Sequence, residues 1–114
     1  MRIEINTTPD ISPLDLWNKI KAKIRDNIVR TWEIVRDGDG KEALTHVTSS
    51  QQWYRKAALK PTINTNPSRL FLRIIALPDE VIPDHYTQAL YIGRFTETLM
   101  EHFSTDFIKL ETFP

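Results

Sequence analysis

No cysteine occurs in the 114-residue chain, and its absence excludes disulfide frameworks, thiolate metal sites and cysteine nucleophiles together. Glycine is almost as scarce. The three glycines present do not form the G-x-G-x-x-G, Walker or G-x-S-x-G patterns that mark dinucleotide-binding turns, phosphate-binding loops and hydrolase nucleophile elbows. The sequence therefore lacks the glycine- and cysteine-based signatures of the common enzyme classes.

The chain also has no net charge, because its 15 basic residues are balanced by 15 acidic ones. Non-specific binding to nucleic acid or to an anionic membrane depends on a strong positive field, so the composition disfavours both partners. No apolar run approaches the roughly 20 residues of a membrane span, and the first residues lack the apolar core of a signal peptide. We therefore expect no membrane association and a cytoplasmic location.

What the sequence does contain is the material for one ordinary domain. Its residues are 40% hydrophobic and 26% charged, which is typical of globular proteins, and the length matches a single domain. A chain of this size buries about two thirds of its unfolded surface. Residues 1–114 are thus predicted to form one soluble domain that folds without disulfides or metal ions.

Hydrophobic periodicity divides the chain into strands and helices. Alternating polarity or continuous apolar runs predict strands over residues 2–6, 31–36, 41–48, 70–77 and 107–112, and helical spacing predicts helices over 13–27 and 85–103. Ser12 and Asp84 are typical N-cap residues for these helices, and Asp37–Gly40 predicts a tight hairpin turn. Residues 49–60 fit either a short helix or an extension of the sheet, of which we favour the helix, and residues 61–68 are predicted to be a loop.

The resulting order, β-α-β-β-(α)-β-α-β, defines the predicted fold class. Runs of strands with helices packed on one side are typical of the α+β class. We predict a two-layer sandwich in which a mainly antiparallel sheet of four to five strands carries two main helices on one face.

The predicted C-terminal helix has more apolar surface than one contact with a sheet requires. Its apolar residues extend well beyond the arc of about 100° that seats a helix on a sheet. Either another element of the chain covers the excess, or Tyr91, Phe95 and His102 border a surface for a partner or ligand. Gly93 weakens the helix by roughly 1 kcal/mol relative to alanine, which close packing against another backbone would explain.

The predicted central strand, residues 70–77, presents a second apolar surplus. Its alternation places Phe71, Arg73 and Ile75 on the face away from the helices. A sheet with one covered face is expected to be polar on the other, whereas here apolar side chains surround one arginine. Exposed patches of this kind mark association surfaces, unless the segment 49–68 folds back over them.

Candidate chemistry is sparse. The three histidines lack the spacing of a metal site, and we assign no metal, cofactor or catalytic residue. If a ligand pocket exists, we expect it among His46, Trp53, Tyr54 and Arg73, because a strand would hold the histidine rigidly beside two aromatic side chains.

Three functional hypotheses remain, in order of preference. The first is a small non-enzymatic interaction module that binds a protein partner, or a second copy of itself, through the apolar sheet face or the C-terminal helix. The second is a ligand-binding domain or small enzyme built on the pocket residues. The third is a nucleic-acid-binding domain that uses Lys19, Lys23, Arg55 and Lys56, and it predicts affinity that falls steeply with salt.

Overall fold

The computed structural model describes all residues from Met1 to Pro114. The elements are β1 (Arg2–Thr7), α1 (Pro13–Arg25), β2 (Trp32–Arg36), β3 (Glu42–His46), β4 (Ala58–Thr65), β5 (Ser68–Ile75), α2 (His85–His102) and β6 (Phe107–Phe113). The strands form one sheet in the order β2-β3-β4-β5-β1-β6, and every neighbouring pair is antiparallel. The predicted α+β sandwich is confirmed, with six strands instead of four to five.

Both helices begin at the predicted caps. The Ser12 hydroxyl accepts a hydrogen bond from the Asp15 amide at 3.0 Å, and the Asp84 carboxylate accepts one from the Thr87 amide at 2.8 Å. Each side chain thereby satisfies an amide that has no partner within its helix. α1 ends at Arg25, slightly before the predicted end.

The predictions for residues 49–60 and 61–68 are wrong. The first segment consists of turns followed by the start of β4, and most of the second belongs to β4. Pro61 argued against a strand because proline cannot donate to a ladder of hydrogen bonds. In the structure, β3 pairs with β4 at the single position Leu44–Leu59, so the missing amide of Pro61 interrupts no ladder on that side.

The main core lies between the helices and the sheet face that they cover, which we call the inner face. Its fully buried members include Ile3, Ile5, Leu70 and Leu72 from the sheet, Leu16 and Ile20 from α1, and Phe95 and Leu99 from α2. Successive strand residues point to opposite sides of a sheet. The residues between these core positions on β1 and β5 therefore point to the opposite side, which we call the outer face.

A second, smaller core covers one end of the outer face. Val35, Ala43 and Ala58 from three neighbouring strands pack with Leu77, which follows β5, and Ile75 packs against this cluster. Leu77 is 2% exposed. The chain after β5 therefore folds back over the part of the outer face that β2, β3 and β4 form. The helices lie on the inner face and cover none of the remaining outer face.

Candidate functional site

Three cations lie side by side on the uncovered part of the outer face. Arg73 on β5 is directly opposite Lys60 on β4 and directly opposite Arg2 on β1. We call Lys60, Arg73 and Arg2 the cation row. Like charges at directly opposite positions of antiparallel strands repel each other, so the fold gains nothing from this arrangement by itself.

The two outer members of the cation row have carboxylate partners. The Lys60 ammonium lies 2.5 Å from the Asp37 carboxylate, and Arg2 Nε lies 2.7 Å from the Glu4 carboxylate. The hydrogen bond from Lys60 is the largest of the contacts that lower the pKa of Asp37 from 3.8 to about 2. Arg73 is exposed and makes no ion pair.

Aromatic side chains accompany the row. Phe71 is half-buried, precedes Arg73 by two positions on the same face of β5, and lies opposite Glu4. The Phe113 ring centre is 4.4 Å from the Arg2 guanidinium carbon, a distance typical of a cation–π contact. This part of the outer face therefore combines free positive charge with accessible aromatic surface.

The apolar patch predicted here is smaller than the sequence suggests. Phe71 keeps part of its surface exposed and Arg73 is exposed, but Ile75 is half-buried against the second core below Leu77. Much of the surplus is thus covered from within the chain, by residues after β5 and not by the 49–68 segment that the sequence suggested.

The apolar surplus of α2 is also covered from within. Tyr91 and Phe95 are fully buried, and Phe95 meets the Trp32 ring edge-on at 4.9 Å. The Tyr91 hydroxyl donates to the Trp53 carbonyl and lies 3.0 Å from Thr45 Oγ1. Neither side chain borders a surface, because β2, β3 and the turns after β3 enclose the wide apolar arc.

His102 and Gly93 differ from their neighbours on α2. His102 is half-buried, its carbonyl accepts a hydrogen bond from Lys23 at 3.0 Å, and its ring lies 3.7 Å from the Glu101 carboxylate. Gly93 is exposed, and a Cβ built on it would meet no atom within 4 Å. The expected close packing of Gly93 against another backbone does not occur within this chain.

Two of the four predicted pocket residues share a cavity. His46 and Trp53 line a cavity of about 320 Å³ together with Arg94 and Glu97 of α2. Tyr54 and Arg73 lie outside it. Burial and the neighbouring Glu33 carboxylate raise the pKa of the Tyr54 phenol, whereas Arg73 belongs to the cation row. The predicted set is therefore divided between two places.

His46 is held firmly in its strand. Its side chain is 5% exposed, its ring lies 4.8 Å from the Trp32 ring, and its Nδ1 is 2.9 Å from the Thr31 carbonyl oxygen. Because a carbonyl only accepts, Nδ1 carries the proton and donates it in this bond. Burial lowers the pKa of the imidazole, so the neutral form with a lone pair on Nε2 prevails at neutral pH.

Most of the cations proposed for nucleic-acid binding are already engaged. Lys19 pairs with the Asp106 carboxylate at 2.7 Å, and Lys23 donates to the carbonyl of His102. Arg55 lies 3.6 Å from the Glu80 carboxylate. Lys56 alone of the four makes no ion pair or side-chain hydrogen bond, so these residues do not present a block of free positive charge.

Sequence reasoning did not bring the three members of the cation row together, and it missed the acidic residues of the cavity. The alternation of residues 2–6 correctly placed Arg2 on the outer face, but Lys60 was assigned to a different structure because β4 was not recognised. Glu97 and Glu101 belong to the polar side of α2, where helical spacing gives no hint that a distant histidine faces them.

Comparison with protein-family models, with curated proteins and with solved structures finds no match to this chain. Neither helix combines the length with the apolar content that a bilayer crossing requires. No three carboxylate or imidazole side chains converge as ligands for a metal ion.

Proposed function

We propose that this protein is an interaction module that binds an acidic surface of a partner protein through its outer face, with Arg73 and Phe71 at the centre of the contact. The observation that carries the proposal is the cation row. Arg73 stands between two other cations without a carboxylate of its own, an arrangement that weakens the sheet in the absence of a partner. A partner that supplies negative charge accounts for it.

The aromatic side chains favour a protein as that partner. Arginine and aromatic residues dominate the energetics of protein interfaces, usually near their centre. Phe71 is partly accessible two positions from Arg73, and Arg2 is stacked on Phe113 at the end of the row. The face therefore offers a central arginine together with aromatic contact surface.

A second copy of the chain is a poorer occupant of this face. In a twofold dimer the same patch of each copy meets its counterpart. Face-to-face docking would bring two cation rows together, and like charges across an interface oppose association. We therefore propose a different protein with an acidic surface, and self-association through this face becomes an outcome that the experiment tests.

Single-stranded nucleic acid also carries negative charge and stacks on aromatic side chains. Its backbone, however, is bound through many uncompensated cations. Here Asp37 pairs with Lys60, and Glu4 is shared by Arg2 and Arg69. Arg73 is the one cation of the row that has no ion pair. An acidic protein surface matches that pattern better than a phosphate backbone does.

The test is fluorescence anisotropy with a labelled oligoglutamate peptide and a labelled oligothymidylate of the same length. We expect the wild-type protein to bind the peptide in preference to the oligonucleotide. Arg73→Glu should weaken peptide binding by about tenfold or more, since it removes the central charge of the contact. Lys56→Glu changes an exposed cation outside the outer face by the same amount of charge and should leave binding unchanged.

Three results would overturn the proposal. Equal peptide affinity for the wild type and Arg73→Glu would remove Arg73 from the contact. Preferred binding of the oligonucleotide, with affinity that falls steeply between ~50 and ~200 mM salt, would indicate nucleic-acid binding instead. Sedimentation that shows a dimer lost in Arg73→Glu would assign the face to a second copy.

A further inference from the structure

The cavity beside His46 is separate from the outer face and is not used by the proposed function. We call it the His46 cavity. It has a volume of about 320 Å³, and its polar or aromatic lining residues include His46, Thr48, Trp53, Arg94, Glu97 and Glu101. Only one of its lining residues is hydrophobic, so the groups that converge there are suited to binding a polar ligand.

His46 contributes a free hydrogen-bond acceptor to this cavity. Its Nδ1–H is committed to the Thr31 carbonyl, so Nε2 carries the lone pair. Nε2 makes no hydrogen bond within the protein, and it is not among the fully enclosed atoms without a partner, which are Asn6 Oδ1, Thr7 Oγ1 and Arg69 Nε. The imidazole is therefore a buried ring whose one unused atom remains accessible.

The charges around the cavity add further acceptors. The Arg94 guanidinium lies 3.2 Å from both carboxylate oxygens of Glu97, so these two residues neutralise each other. The Glu101 carboxylate lies 3.7 Å from the His102 ring, makes no other ion pair, and belongs to a side chain that is 75% exposed. With His46 neutral and Arg94 paired with Glu97, Glu101 adds one further negative charge to the lining.

We propose that the His46 cavity binds a small ammonium group. The N–H groups of such a ligand would donate hydrogen bonds to His46 Nε2 and to the Glu101 carboxylate. The face of the Trp53 ring would attract the positive charge, and the carbon chain next to it would pack against the same ring. The same chemistry is offered by a free alkylamine and by a lysine side chain of another polypeptide. The proposal is independent of the partner that occupies the outer face.

The experiment is a titration followed by ¹H–¹⁵N NMR, with the Trp53 indole N–H and the His46 ring nitrogens as probes. n-Butylammonium stands for a free amine, Nα-acetyl-lysine methylamide stands for a lysine side chain, and n-butanol is the neutral control. We expect saturable shifts with an ammonium compound and none with n-butanol. The tighter of the two ammonium probes identifies the source of the group.

Two variants establish where the probe binds. Glu101→Gln removes the free charge from an exposed side chain and should weaken binding by about tenfold, the worth of a charge-assisted hydrogen bond. His46→Phe should abolish it, and Glu111→Gln on β6 is the matched control that should not change it. Absence of saturable shifts in the wild type, or equal affinity in Glu101→Gln and the wild type, would overturn the proposal even if His46→Phe fails to fold.

Discussion

The two faces of strand β5 differ in how completely the fold uses them. Leu70 and Leu72 on the inner face are fully buried in the main core, whereas Phe71 and Arg73 on the outer face remain wholly or partly exposed. Neighbouring residues of one strand thus serve different purposes. The inner residues determine how the chain folds, whereas folding constrains the outer residues less.

The largest expected loss of stability comes from a substitution on the inner face. Leu72→Ala removes a fully buried side chain and leaves a cavity in the main core, so it should lower the free energy of unfolding by about 2–5 kcal/mol. Arg73→Ala, the next residue on the same strand, should not destabilise the protein. Urea denaturation of both variants measures the difference, and similar losses in the two would refute the distinction between the faces.

The second prediction concerns the covered side of α2. Tyr91→Phe removes one of the two donors to the Trp53 carbonyl, which keeps only the Lys56 amide, so it should lower the free energy of unfolding by about 0.5–1.5 kcal/mol. Tyr86 is 69% exposed on the same helix, so Tyr86→Phe should leave stability unchanged. Thermal unfolding of the pair tests whether the hydroxyl of Tyr91 is structural.

On the exposed side of α2 a substitution should stabilise the protein. Gly93→Ala meets no neighbouring atom and removes the flexibility of a mid-helix glycine, so it should raise the free energy of unfolding by roughly 0.5–1 kcal/mol. Circular dichroism at several protein concentrations measures the change. A destabilised variant, with an effect that grows with concentration, would indicate that another molecule packs against Gly93.

The smallest expected effect is confined to acid conditions. Because the pKa of Asp37 is lowered from 3.8 to about 2 in the folded protein, its carboxylate stabilises the fold above the ordinary pKa. That contribution is lost as the pH falls toward about 2. Asp37→Asn lacks this contribution, so its stability should fall less than that of the wild type over the same interval. Denaturation midpoints across that pH range provide the measurement, and parallel curves would contradict the role of the Lys60 contact.

The sequence sufficed for the elements that have strong local signals. The caps at Ser12 and Asp84 and the alternation around Ile3 and Ile5 located both helices and the first strand. β4 was missed because prolines and asparagines are typical of loops. Pro61 is tolerated in this strand because β3 pairs with β4 at one position only, so no hydrogen bond to β3 requires an amide at Pro61.

The candidate sites were less predictable because they depend on long-range register. Arg73 was identified as an outward residue, but its position between Lys60 and Arg2 follows from pairing with two strands distant in sequence. Tyr91 and Phe95 were expected at a surface because helical spacing gives the width of an apolar arc but not the elements that enclose it. Likewise, no local pattern connects His46 with Glu101.

The most direct test of this account is the free energy of unfolding of Arg73→Glu. The glutamate would stand between Lys60 and Arg2, where opposite charges across neighbouring strands stabilise a sheet by about 0.2–1 kcal/mol per pair. We expect this variant to be more stable than the wild type. A less stable variant would mean that the fold itself requires Arg73, and the reason for proposing a partner on the outer face would be gone.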